Sequence, residues 1–188
     1  MIIMHLSEKT LSSELIYKGR IIDLRKDTAE LENGMEATRE LVIHSGGVCV
    51  VPITDNGEIL FVKQFRYPFK EVLIEIPAGK LNPGEDHYEC GKRELSEETG
   101  ADCRIYKYLG VMYPSVAYLT EKIHMYLAAG LTFSERHLDE DEFLDVMSVP
   151  MDKAYEMVMS GEIKDGKTQV AVLKAWCLLK NDPDFLKK

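Results

Sequence analysis

The chain has 188 residues, of which 45% are hydrophobic and 29% charged, with a formal net charge of −9. That length holds one domain, or one domain with an appendage, and the apolar share suffices for a packed core. The acid excess argues against nucleic acid or an anionic membrane as partner, and a phosphorylated substrate would need metal ions or a local arginine cluster to offset repulsion.

The first ten residues, MIIMHLSEKT, carry too short an apolar stretch for a signal peptide, and no long apolar run follows. Residues 13–43 read as short strands. Glu32-Asn33-Gly34 is a hairpin signal between Thr28-Ala29-Glu30-Leu31 and Ala37-Thr38-Arg39-Glu40-Leu41. So small a sheet cannot bury a core unaided, so it is expected to dock on the main domain or on a second subunit. From Gly47 the pattern strengthens. Val48-Cys49-Val50-Val51-Pro52-Ile53 is followed by a turn at Asp55-Asn56-Gly57, then Ile59-Leu60-Phe61-Val62 and Leu73-Ile74-Glu75-Ile76.

Pro83-Gly84 is a tight loop, and Asp86 with Glu89 reads as a capping box. Gly100 stops the helix that they open, which spans about residues 87–99. Tyr88, Gly91 and Leu95 fall on one stripe and are expected to be buried. Gly91 suits a close approach to a sheet rather than a free helix. Two strands read at about 104–112 and 121–128, an acidic loop at 134–142, and a strand from Phe143 to Val149. Pro150 opens a helix to about Met159, Ser160-Gly161 breaks it, and Lys167 to Lys180 is a final amphipathic helix. The order predicts an α/β/α sandwich on a mixed sheet, with a small N-terminal antiparallel β segment. Residues 1–45 are read as that segment and residues 46–188 as the main domain.

Cys49, Cys90, Cys103 and Cys177 have no C-x-x-C spacing and read as buried thiols of a reducing compartment, which places the protein in the cytoplasm. The five histidines lack ligand spacing and read as surface or core residues, and Met151, Met157 and Met159 as packing.

The helix at 87–99 carries the chemistry. Glu94, Glu97 and Glu98 are spaced i+3 and i+4, so their carboxylates share a face and repel. Arg93 alone cannot neutralise three carboxylates. Hard oxygen donors of this kind suit Mg²⁺ or Mn²⁺ held against a phosphate. A solvated acidic face is the plain alternative for a charge run. The wider spacing argues against it. Gly79, Glu85, Arg93, Glu94, Leu95, Glu97, Glu98, Gly100 and Ala101 fill every fixed position of G-x5-E-x7-R-E-U-x-E-E-x-G-U, where U is aliphatic and Ala101 is small for it. The stretch resembles the box of the Nudix hydrolase family. No G-x-x-x-x-G-K-[ST], G-x-S-x-G or H-E-x-x-H motif offers a rival.

Val62-Lys63-Gln64-Phe65-Arg66-Tyr67-Pro68, Glu75-Ile76-Pro77-Ala78-Gly79-Lys80 and Gly19-Arg20-Ile21 resemble the ADP-ribose pyrophosphatase branch of that family. Gly161-Glu162-Ile163-Lys164-Asp165-Gly166-Lys167-Thr168 is similar to its C-terminal signature. Tyr113-Pro114-Ser115 and Thr120-Glu121 lie where the branch carries a Ser-Pro-Gly loop, but Val116 and Ala117 replace the usual Pro-Gly. Ile21 or Ile22 stands where an aromatic often stacks on adenine from the partner subunit.

The resemblance implies metal-dependent hydrolysis of a nucleoside diphosphate sugar, ADP-ribose preferred, to AMP and ribose 5-phosphate. Another nucleotide sugar, a nucleoside triphosphate, or a non-catalytic nucleotide-binding module are the alternatives. The resemblance further implies that the Ala78 carbonyl, Glu94, Glu98 and Glu142 ligate metal, with Glu97 sharing or buttressing that site. Glu85 and Arg93 would hold loop against helix, and Glu140 would act as general base, its order with Glu142 left open. Arg66, Arg39 and Glu121 would contact the substrate, and residues 1–45 would form a homodimer contact.

Overall fold

The computed structural model describes residues 6–138 and 142–187, which form two compact units. The first comprises the described residues up to Gly46 together with Tyr113–Lys122. Its strands β1 (Lys9–Lys18), β2 (Asp23–Glu30) and β3 (Glu36–Ile43) form an antiparallel sheet in that order. The predicted hairpin turn joins β2 to β3, where Asn33 Oδ1 accepts from the Met35 amide at 3.0 Å. β1 starts earlier than expected because Lys9, Thr10 and Ser12 pair with Glu30, Ala29 and Thr28, a cross-strand match that periodicity does not reveal. Val42 binds the 113–122 segment through Tyr118 O at 2.7 Å and the Thr120 amide at 3.0 Å. Every residue of β1 is exposed, including Leu11, Leu15, Ile16 and Tyr17.

The second unit comprises Gly47–Met112 and the described residues from Ile123 onward. Its elements are β4 (Gly47–Ile53), β5 (Glu58–Arg66), β6 (Glu71–Glu75), β7 (Ala78–Lys80), α1 (His87–Thr99), β8 (Ala101–Met112), β9 (Ile123–Phe133), β10 (Leu144–Pro150), α2 (Met151–Met159) and α3 (Gly166–Asn181). A short 3₁₀ turn spans Phe185–Lys187. The sheet runs β10-β5-β4-β9-β8, with β6 on β5 and β7 on β4. β4 and β9 are parallel and the other pairs antiparallel, so the sheet is mixed.

Period-2 alternation divides the core into two layers. Cys49, Val51 and Ile53 of β4 with Met125, Leu127 and Ala129 of β9 meet Ala154 and Met157 of α2 and Ala171, Val172 and Ala175 of α3. Val48, Val50, Tyr126 and Ala128 face the other way, onto Cys90 and Leu95 of α1. Each large apolar side chain buried in this way contributes about 1.5–3 kcal/mol relative to exposure. Helices thus cover both faces, as the sandwich expectation required.

Asp86 caps α1 by accepting from the Tyr88 amide at 2.8 Å. A Cβ on Gly91 would lie 2.7 Å from Val48 Cγ1, so the helix approaches the sheet as closely as the glycine implied. Tyr88 is not in the buried stripe. The residues that α1 buries are Cys90, Gly91, Glu94, Leu95, Glu98 and Thr99, while Tyr88 stands 41% exposed and packs edge-on against Tyr106. Cys49 and Cys90 are buried free thiols, but Cys177 lies on the exposed side of α3. Met157 packs in the core, whereas Met159 is exposed.

β4 and β5 pair only at their hairpin end, Ile53 with Ile59, and then diverge. β6 lengthens the β5 side and β7 the β4 side, so the chain crosses from one ladder to the other at Ile76-Pro77. The carboxylates of α1 gather beside that crossing.

Candidate active site

Helical spacing splits the acids of α1 between two environments. Glu94 and Glu98 point inward and are buried, whereas Glu97 is a third exposed. Arg93 reaches across to the Pro-Gly loop. Its Nε donates to Glu85 Oε1 at 2.9 Å and its Nη2 to Glu85 Oε2 at 3.1 Å. Its Nη1 donates to Glu97 Oε2 at 2.8 Å and lies 2.8 Å from Glu94 Oε1. One guanidinium therefore serves three carboxylates. Glu85 also accepts from the Asn82 amide at 2.9 Å, which closes the loop on itself, while the Arg93 contact fastens it to the helix. Arg93 holds the Glu85 carboxyl down at about 2, the hydrogen bond being the main cause.

Glu98 has a different partner. Its Oε2 accepts from the Ala78 amide at 3.2 Å. Burial pushes its carboxyl up to about 8, and the neighbouring charges of Glu94 and Glu142 add to the shift, opposed by the Ala78 amide and the charge of Lys167. Burial likewise raises Glu94 to about 7; Arg93 pulls it down, and Glu97 and Glu142 push it up. A Cβ on Gly79 would come within 1.8 Å of Glu94 Oε1, so only glycine lets this carboxylate lie against the backbone. At this corner the buried Glu94 and Glu98 carboxylates lie against the Ala78–Gly79 backbone, and their mutual repulsion is one that an added cation would relieve. Among the described residues no three acidic, histidine or cysteine side chains form a finished metal cage. Glu142 is brought into the electrostatic field of Glu94 and Glu98, while Glu140 lies outside the described residues.

Beside this corner stands a second charged cluster. Arg66, at the end of β5, donates from Nε to Glu75 Oε1 at 2.6 Å and from Nη2 to Glu75 Oε2 at 2.7 Å. Glu75 is almost fully buried and also binds Lys167 Nζ, which donates to Asp165 Oδ2 at 3.0 Å. Glu75 thereby occupies one edge of the Arg66 guanidinium. Among the described residues Nη1 makes no hydrogen bond, and the side chain as a whole is partly exposed. Burial opposes ionisation of Glu75, but Arg66 and Lys167 overcome it and hold its carboxyl below the ordinary value. Sequence reasoning gave Glu75, Asp165 and Lys167 no role. The available signal was a carboxylate inside the apolar run Leu73-Ile74-Glu75-Ile76, since a buried glutamate is almost always paired.

The other expected substrate residues belong to the first unit. Arg39 Nε donates to Glu8 Oε2 at 2.8 Å, and both side chains are exposed. Glu121 lies 3.5 Å from His44 Nδ1. Ile21 and Ile22 are exposed.

Residues 44–170 match the NUDIX domain, and residues 8–42 match the nucleoside diphosphate sugar hydrolase N-terminal domain. The chain is 43% identical over 169 residues to the ADP-ribose pyrophosphatase of Bacillus subtilis (strain 168), covering 89% of this chain and 91% of that one. It is 42% identical over 167 residues to the methanol dehydrogenase activator of Bacillus methanolicus, covering 88% and 90%. A crystal structure described as an ADP compounds hydrolase shares the fold with a TM-score of 0.82, at 20% identity and over 93% of this chain and 95% of that one.

Proposed function

The chain belongs to the NUDIX domain family, and from that membership we propose that it hydrolyses the pyrophosphate bond of a nucleoside diphosphate sugar. ADP-ribose is the preferred substrate, and AMP and ribose 5-phosphate are the products. The observation that carries this reading is the buried Glu94–Glu98 pair packed against Ala78 and Gly79. Two buried carboxylates with raised pKa values call for a cation, and a diphosphate is a ligand that such a cation shares. The N-terminal match to nucleoside diphosphate sugar hydrolases and the likeness to an ADP-ribose pyrophosphatase support the substrate class.

A divalent ion, Mg²⁺ with Mn²⁺ as its substitute, would be held by Glu94, Glu98, Glu142 and the Ala78 carbonyl. When bound it supplies charge neutralisation and polarisation of the phosphoryl oxygens. The protein's own groups do the rest. Arg93 and Glu85 hold the loop on the helix, and Glu97 buttresses that contact. Arg66 presents Nη1 to a phosphate oxygen while Glu75 fixes the opposite edge of the guanidinium. Arg39 and Glu121 contact the rest of the substrate. Water bonds to one phosphorus, the bridging P–O bond breaks, and Glu140 accepts the water's proton. Residues 1–45 pair with a second copy of the chain; the wholly exposed β1, with Leu11, Leu15, Ile16 and Tyr17, is the apolar surface that favours a twofold contact. Four free cysteines agree with a reducing compartment, the cytoplasm.

The test is a substrate panel of ADP-ribose, GDP-mannose, other nucleotide sugars and nucleoside triphosphates, each with Mg²⁺ and Mn²⁺. ADP-ribose should show the highest kcat/KM. A clear preference for a triphosphate overturns the substrate assignment, and absence of turnover with every compound overturns the hydrolase reading.

A further inference from the structure

We propose that Thr168, with Asp165 beneath it, is a positioning residue for the active site. The first turn of α3 fixes the backbone from which Ala78 reaches Glu98. This rests on the reading of Ala78, Glu94 and Glu98 as the metal-binding corner.

The crossing between β6 and β7 creates a local problem. β6 pairs with β5 as far as Glu75, opposite Val62. β7 pairs with β4 from Ala78, opposite Cys49. Ile76 and Pro77 lie between the two ladders. Pro77 has no N–H, and its carbonyl accepts from the Val50 amide at 2.9 Å. Ile76 is fully buried, and an unpaired amide there would carry its whole desolvation cost. Thr168 Oγ1 accepts that amide at 3.0 Å, from 92 residues further along the chain.

The hydroxyl is itself held. It donates to Asp165 Oδ2 at 2.6 Å, and the same oxygen accepts from the Thr168 amide at 3.0 Å and from Lys167 Nζ at 3.0 Å. Thr168 is fully buried. Valine would fill its space, and capping of α3 by Asp165 needs only the Thr168 amide, which any residue but proline supplies. What the hydroxyl adds is the grip on Ile76. On one side of Ile76 stands Glu75, which orients Arg66; two residues beyond it stands Ala78, whose amide meets Glu98. A shift of the Ile76 amide therefore disturbs the metal corner and the diphosphate-facing arginine together.

The test uses Thr168→Val in the full chain, with Mn²⁺ binding followed by electron paramagnetic resonance in the absence of substrate. Supporting groups behind metal ligands typically govern affinity by about tenfold or more. The variant should therefore bind Mn²⁺ about tenfold more weakly and lose about tenfold in kcat, with KM changed less than about twofold. Thr168→Ser, which keeps the hydroxyl, should restore both. Val172→Ala, buried on the same helix, should lower Tm without moving Mn²⁺ affinity. Unaltered Mn²⁺ affinity in Thr168→Val, whatever its Tm, overturns the proposal. If Thr168→Val does not fold, Asp165→Asn takes its place: the neutral amide polarises the hydroxyl less, so weaker Mn²⁺ binding is expected and unchanged binding overturns the proposal. Failure of the unaltered protein to bind Mn²⁺ overturns the metal reading and this proposal with it.

Discussion

Glu98 accepts a hydrogen bond from the Ala78 amide at 3.2 Å, joining the buried side of α1 to the start of β7. The contact brings a carboxylate to a backbone that supplies one donor for it, while Arg93 is spent on Glu85, Glu94 and Glu97. Glu98 is thus the acid of the box that most needs an added cation.

Glu98→Gln should abolish metal-dependent turnover, lowering kcat by about a hundredfold or more, because the amide keeps the shape but not the charge that binds a hard cation. The same change should raise the Tm of the metal-free protein, because it removes the cost of burying an ionisable carboxyl and, with it, the repulsion with Glu94. Steady-state kinetics with and without EDTA check the first part, and calorimetry checks the second. Turnover that persists in EDTA contradicts the metal mechanism.

The metal-free protein should become more stable as pH falls from about 8.5 to about 5.5. Burial raises Glu94 to about 7 and Glu98 to about 8, above the unfolded carboxylate value of about 4.3. The folded state therefore holds protons that the unfolded state lacks between those limits. This contribution is fully present below about pH 4.3 and is lost as pH rises through about 7 to 8. Mg²⁺ competes with those protons, so its stabilising effect should be largest at the alkaline end. Thermal melts across that range, with EDTA and with Mg²⁺, measure both; a metal-free Tm that drops steadily toward pH 5.5 counts against the buried pair.

Glu85→Gln should cost less than Glu98→Gln, on the order of several-fold in kcat, because the role proposed for Glu85 is to orient Arg93 rather than to ligate. Its folded-state carboxyl sits at about 2, so its contribution to stability is present above about pH 4.3 and lost as pH falls toward 2. Acid unfolding of the variant should therefore be shallower than that of the unaltered protein. Equal losses of kcat in the two variants would place Glu85 among the ligands.

Arg66→Ala should lower kcat/KM for the favoured substrate by at least roughly tenfold, about 1.4 kcal/mol of transition-state binding. Glu75→Gln should lower it as well, and should also cost about 3 kcal/mol of stability by leaving Arg66 and Lys167 without their buried carboxylate. Denaturant titration beside kinetics separates the two. An Arg66→Ala protein with unchanged kcat/KM would reduce Arg66 to a partner of Glu75.

Sedimentation at micromolar concentration should give a dimer. Leu15→Glu with Tyr17→Glu, on the exposed β1, should dissociate it and lower activity. A fully active monomer of the unaltered chain contradicts the role assigned to residues 1–45.

The sequence by itself determined the helix at 87–99, its Asp86 cap, the close approach at Gly91 and the placing of Glu94, Glu97 and Glu98 on that helix, but not that Glu97 parts from the buried pair. These follow from spacings of three, four and seven residues, which a helix converts directly into geometry. Continuous apolar runs on either side of the Asp55-Asn56-Gly57 turn likewise disclosed β4 and β5, and β9 was legible as a strand at about 121–128. Only the tertiary structure decided that Tyr88 stays exposed, that Arg93 divides itself among three carboxylates, and that Glu75 grips Arg66 from a buried strand. It also decided that Thr168 closes on Ile76 and that Val42 binds the 113–122 segment. Those contacts join residues up to 92 positions apart. Local propensity carries no information about such pairs, because what selects them is the demand that every buried amide and charge find a partner once the sheet and helices have packed.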